Sequence, residues 1–178
     1  GAEVAPTHGE ERVVRQVALG PGLGLRSVHH RDFLEGSPPV DWLEVHAENF
    51  FARGGVRHEM LLEIAERYPI SLHAVGLSLG SPEGVDRDHL ARLAALVGDV
   101  SPILVSDHLA WSRTGGVYLN DLLPLPLDEG TLAVVSANVS RVQDRLGHQL
   151  LVENPSIYVA TDGSGMGEGE FLGRLAEA

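Results

Sequence analysis

The chain has 178 residues, 43% hydrophobic and 21% charged, with a formal net charge of −12. That length supports one domain with its own core, and no apolar run approaches the ~20 residues of a membrane-spanning helix. No cysteine is present, which excludes disulfides, thiolate metal sites and iron–sulfur clusters. All 13 basic residues are arginine, and the acidic balance argues against nucleic acid as a partner. With no charged-then-apolar signal pattern at the start, the expected location is the cytoplasm.

Residues 1–19 are polar and mixed in charge, and read as a flexible N-terminal arm with a short strand at 13–19. One domain is expected over 20–178. The segment GPGLGLR at 20–26 predicts a first strand at 23–25 with glycines for close packing. A helix over 29–35 should stop at Gly36, because Pro38 and Pro39 forbid its continuation. Strand two is expected at 41–46, with Trp42, Glu44, His46 and Glu48 sharing one parity. Met60, Leu61, Ile64 and Ala65 at helical spacing predict a helix over 56–67. The stretch ISLHAVGLSLG at 70–80 starts as a buried strand. Asp86 can cap a helix over 87–97 that Gly98 should stop. Strand four is expected at 103–107. A long connection at 108–128 then reads as a lid or binding loop. A helix over 129–146 should end at Gly147, followed by strand five at 149–153, a Gly/Ser segment at 161–169 and a last helix over 168–178.

Alternation of buried strands with helices predicts an α/β fold with a parallel sheet. No phosphate loop supports an open doubly wound sheet. Polar residues at the carboxyl ends of several strands support a (β/α) barrel, which places its chemistry there. Five β/α units are fewer than the eight that close such a barrel over ~250 residues, so either a fragment of a longer chain or an open partial barrel with exposed sheet edges is expected. Those edges favour self-association.

Four strand-like runs end in metal-compatible side chains: His46, His73, Asp107 and Glu153. An imidazole or carboxylate buried singly in an apolar strand needs partners for its polar atoms. Four at successive strand ends can share one cation. Nitrogen and oxygen donors without sulfur suit iron, manganese or zinc. His108 has the opposite parity to Asp107, so with Asp107 pointing into the mouth it reads as supporting or substrate-facing. Glu48, Asn49 and Asn154 stand just past strand ends and can orient ligands. Arg26 ends the first strand and can bind a carboxylate or phosphate as a fork. His29, His30, His58, His89 and His148 read as ordinary surface or core histidines.

Six motifs in order resemble one family: GLGLR at 22–26, DWLEVHAENFF at 41–51, SLHAVGLSLGS at 71–81, LVSDHLAW at 104–111, YLNDLLPLP at 118–126 and LLVENPSIY at 150–158. They resemble the DUF692 family, the multinuclear non-haem iron-dependent oxidative enzymes of methanobactin-type biosynthesis. The resemblance implies a xylose-isomerase-like TIM barrel holding two or three irons. It implies oxidation of cysteine residues in a ribosomally made precursor peptide by dioxygen, with a small partner protein that delivers the peptide. Carried over by motif, the implied ligands are His46, His73, Glu153 and either Asp107 or His108. In that family further strands, with an Asp-x-Asn-Asn motif and paired histidines, complete the iron set. Two other readings fit the residues: a divalent-metal isomerase or hydrolase on the same barrel, and a non-catalytic partial barrel that binds or self-associates.

Overall fold

The structure is a computed structural model that describes residues 20–155 and 165–178. The arm expected over 1–19 lies outside the described residues, as do residues 161–164 of the Gly/Ser segment before the last helix. In chain order the elements are β1 (Gly22–Gly24), α1 (His30–Glu35), β2 (Trp42–His46), α2 (Val56–Ala65), β3 (Ile70–His73) and α3 (Arg87–Val100). Then come β4 (Leu104–His108), β5 (Trp111–Thr114), β6 (Val117–Leu123), α4 (Glu129–Leu146), β7 (Leu151–Glu153) and α5 (Glu168–Glu177).

Five strands make one parallel sheet in the order β1-β2-β3-β4-β7. This is the expected α/β architecture, with five β/α units of a TIM-barrel-like sheet. Both faces of the central strands are covered, so all four residues of β3 are buried. Leu43, Val45, Leu72 and Val105 from the sheet pack with Leu61, Ile64, Leu93 and Leu96 from α2 and α3 in the main core. A second cluster joins Leu109, Leu125, Leu132, Val135 and Phe171, and fixes α4 and α5 beside the end of β4.

Local signals account for the helix ends. Gly36 donates to the Asp32 carbonyl at 2.9 Å and closes α1. Asp86 and Asp128 each cap a helix, accepting the backbone N–H of His89 and Thr131 at 2.8 Å. Gly147, with φ of 64°, ends α4 in a left-handed cap, as expected.

Three expectations need correction. Helix α3 runs through Gly98 and ends at Ser101, whose φ is 52°. Gly98 weakens a helix by only about 1 kcal/mol, which packing by Leu93, Leu96 and Val97 outweighs. Pro102 is the physical stop, because its ring disfavours helical backbone at Ser101. Second, the connection at 108–128 contains an antiparallel hairpin, β5 with β6. Its turn is Gly115-Gly116, both with positive φ, the conformation that tight hairpins require. Third, β3 stops at His73. The rest of that stretch is a buried loop in which Ala74, Leu77 and Leu79 have no exposed surface.

Candidate metal centre

The parallel register sets the site. His46 pairs with His73, His73 with Ser106, and His108 with Glu153. Four strands therefore present their last residues along one carboxyl rim. Ligand atoms of His73, His108 and Glu153 lie within 4.8 Å of one another. His73 Nδ1 is 3.3 Å from Glu153 Oε1 and 2.7 Å from Ser106 Oγ, with which it is hydrogen-bonded. The His73 and His108 rings meet edge to face at 4.6 Å, and the His46 ring lies 5.5 Å from His73.

The strand period explains which neighbour joins this group. Ser106 and His108 lie two residues apart on β4 and so share a face. Ser106 meets His73 on that face, and His108 follows it to the rim. Asp107 does not join the group. Its side chain is buried, with Oδ2 accepting the Leu77 N–H at 2.9 Å and Oδ1 accepting the His108 N–H at 2.5 Å. Burial pushes the Asp107 carboxyl up to about 8, against the pull of these two backbone bonds. The parity signal was present in the sequence. What it lacked was the face that looks inward.

The other candidates are placed as follows. Glu48 does not continue the parity of β2, because the chain turns at residue 47 into a 3-10 segment, Ala47–Phe50. Its Oε1 accepts the N–H groups of Val75 and Gly76 at 2.9 and 3.0 Å and the His89 Nε2 at 3.1 Å. Burial raises the Glu48 carboxyl, but these bonds outweigh it and hold the group below its ordinary value. His89 is therefore not an ordinary helix histidine. Its ring packs where a side chain at position 76 would sit, 2.6 Å from an added Cβ, which is why Gly76 is required there. His58 does fit a core role, bonded to the Phe50 carbonyl and facing Asp99. Asn154 donates to Glu168 across the loop after β7.

Two cavities flank the rim. One, of about 540 Å³, is lined by Arg26, His30, Glu44, His46, Asn49 and Arg57 among others. The other, of about 510 Å³, is lined by Glu48, Gly76, His89, His108 and Tyr118 of β6, with others. His73 stands between them, next to His46 on one side and His108 on the other.

The donor set fits a divalent cation. Two imidazoles and a carboxylate converge, and His108 Nδ1 is buried without a hydrogen-bond partner, as is Glu48 Oε2. Burial holds His108 below its usual range, with the His73 charge adding to the effect, so the imidazole is disposed to offer a lone pair. Neutral nitrogen and anionic oxygen donors suit iron(II), manganese or zinc. No described helix is long and apolar enough to cross a membrane.

A parallel α/β sheet with such donors gathered at its carboxyl rim defines a barrel-type chain with a metal-compatible site. The chain belongs to the family described as RiPP precursor modification enzyme MbnB/TglH/ChrH, which it matches over residues 20–178. It is 52% identical over 153 residues to a UPF0276 protein of Rhizorhabdus wittichii, covering 85% of this chain and 55% of the relative. It is 50% identical over 151 residues to a UPF0276 protein of Vibrio vulnificus, covering 85% and 52%. A UPF0276 protein of Chromobacterium violaceum is 47% identical over 154 residues, covering 86% and 55%. The chain thus spans about half the length of the curated relatives it matches.

Proposed function

We propose that the chain carries part of the metal centre of an iron-dependent oxidative enzyme that modifies cysteine residues of a ribosomally made peptide, using dioxygen. The observation that carries this reading is the convergence of His73, His108 and Glu153, from three strands, within 4.8 Å. Family membership supports peptide modification as the class of reaction.

In this reading His73, His108 and Glu153 hold the metal, and His46 stands next to them as a further donor. Bound there, iron would supply redox chemistry and activation of dioxygen. Ser106 fixes the His73 ring through Nδ1. Asp107 ties the loop at Leu77 to β4 and so holds the His108 backbone in register. Arg26 faces the substrate from the first cavity. A small partner protein delivers the peptide.

The test is metal analysis after anaerobic purification, followed by oxygen uptake with a cysteine-bearing precursor peptide. Iron in at least equimolar amount, lowered in H73A and E153A, is the expected result. A folded chain with no metal would sink the reading. Turnover without oxygen on a sugar or phosphodiester would favour the isomerase or hydrolase alternative.

A further inference from the structure

The metal rim leaves two arginines of the first cavity unused. Arg26 follows β1, and Arg57 lies in the first turn of α2, so the fold brings them from separate elements to one concave surface of about 540 Å³. Three other exposed arginines hold a carboxylate, Arg31 with Glu35 at 2.8 Å, Arg53 with Asp99 at 2.6 Å and Arg174 with Glu129 at 2.5 Å, whereas exposed Arg87, Arg141 and Arg145 hold none among the described residues. What sets Arg26 and Arg57 apart is that they share one cavity. The guanidinium groups of Arg26 and Arg57 have no hydrogen bond or ion pair among the described residues. Glu44 lines the same cavity, yet pairs with neither of them among the described residues.

Two arginines and one glutamate, Glu44, line this cavity in an otherwise acidic chain. His30 is buried there and held below its usual pKa, by burial first and by the Arg57 charge second. Net charge is −12, so the average field repels anions. Two guanidinium groups without a carboxylate partner at one concavity oppose that locally. Each is a planar fork matched to a carboxylate. His46 also lines the cavity, and its ring is 5.5 Å from His73. His46 therefore joins the arginine-lined cavity to the rim.

We propose that Arg26 and Arg57 form a carboxylate-binding subsite, which holds an acidic group of the peptide substrate while the neighbouring residue lies at the His73–His108–Glu153 rim. This rests on the peptide-modifying reading above. Two forks on separate elements restrict the orientation of the bound group, which is what positioning a peptide for chemistry requires.

The test titrates the chain with N-acetylglutamate α-amide, with its neutral isostere N-acetylglutamine amide, with N-acetylglycine and with inorganic phosphate. Backbone amide NMR signals of Gly24, Ser27 and Asn49 report binding. Saturable shifts are expected with the side-chain carboxylate, the C-terminal carboxylate or both, and none with the isostere. R26Q and R57Q should each weaken binding about tenfold or more, and R26K/R57K should restore charge but not full affinity. Both side chains are exposed, and the NMR spectrum itself verifies folding. Equal shifts with the isostere would overturn the proposal. So would carboxylate binding insensitive to both arginines, or phosphate binding with no response to either carboxylate. Metal uptake separates the two readings. No metal with arginine-dependent carboxylate binding overturns the oxidative function alone, whereas metal uptake with arginine-independent binding overturns the subsite alone.

Discussion

Ser106 shows how much a single hydroxyl can decide. Bonded to His73 Nδ1 at 2.7 Å, it sets the ring orientation of the central imidazole of the rim. Replacing it with alanine should lower metal affinity by about 10- to 100-fold, the usual effect of losing such an outer partner. Competition with a chromophoric chelator would measure this, and an unchanged affinity would remove Ser106 from the account. Asn138 carries a structural load of the same kind. Its buried Nδ2 donates to the Leu79 and Ser81 carbonyls at 2.9 and 3.0 Å, and so ties the loop after β3 to α4. Asn138→Ala should cost about 1–3 kcal/mol in a urea titration, because it leaves buried carbonyls unpaired. At this scale the sequence pointed to imidazoles and carboxylates at the strand ends. It did not choose between Asp107 and His108, which are adjacent on one strand and face opposite ways. That choice depends on a contact 33 residues away, between Ser106 and His73.

Helices α3 and α4 show what local chemistry controls. The bounds of α4 follow from Asp128 and Gly147 alone, each acting on its own turn. Those of α3 do not, since Gly98 is tolerated inside the helix. A Cβ at position 98 would meet nothing within 4 Å. Gly98→Ala should therefore stabilise the protein by about 0.5–1 kcal/mol, seen as a rise in Tm of roughly 1–4 °C. The N-cap of α3 also predicts an acid response. Asp86 is held below the ordinary range of an aspartate by the His89 N–H, with the Arg113 charge adding to this. A carboxyl with a lowered folded pKa contributes stability that is present above the unfolded pKa and lost as pH falls through the folded one. The stability difference between the wild type and D86N, from urea midpoints, should be full at pH 7 and shrink below about pH 3.8. A difference constant down to pH 2 would contradict this. The hairpin β5–β6 was legible in principle: Gly115-Gly116 between two strand-forming runs is its signature. The surrounding prolines and length suggested a loop instead.

For the whole molecule, the sheet edges dominate. Among the described residues β1 pairs only with β2, and β7 only with β4. Leu23 and Leu151 on these strands are 53% and 48% exposed. Unpaired edges with exposed leucines favour strand pairing between copies. The mass by light scattering should rise with concentration, and Leu151→Glu should lower it by placing a charge on the edge. A monomer at all concentrations would show that the edges are protected.

The order of elements outside the β5–β6 hairpin, the parallel sheet and the residue types at the strand ends were determined by the sequence itself. Hydrophobic period, caps and breakers act within a few residues, and strand ends are where polar side chains escape the core. Which imidazole faces inward, that Glu48 turns away to His89, and that two arginines meet around one cavity were decided only by tertiary structure. Each depends on strand register and on contacts between segments tens of residues apart, and no local signal encodes those.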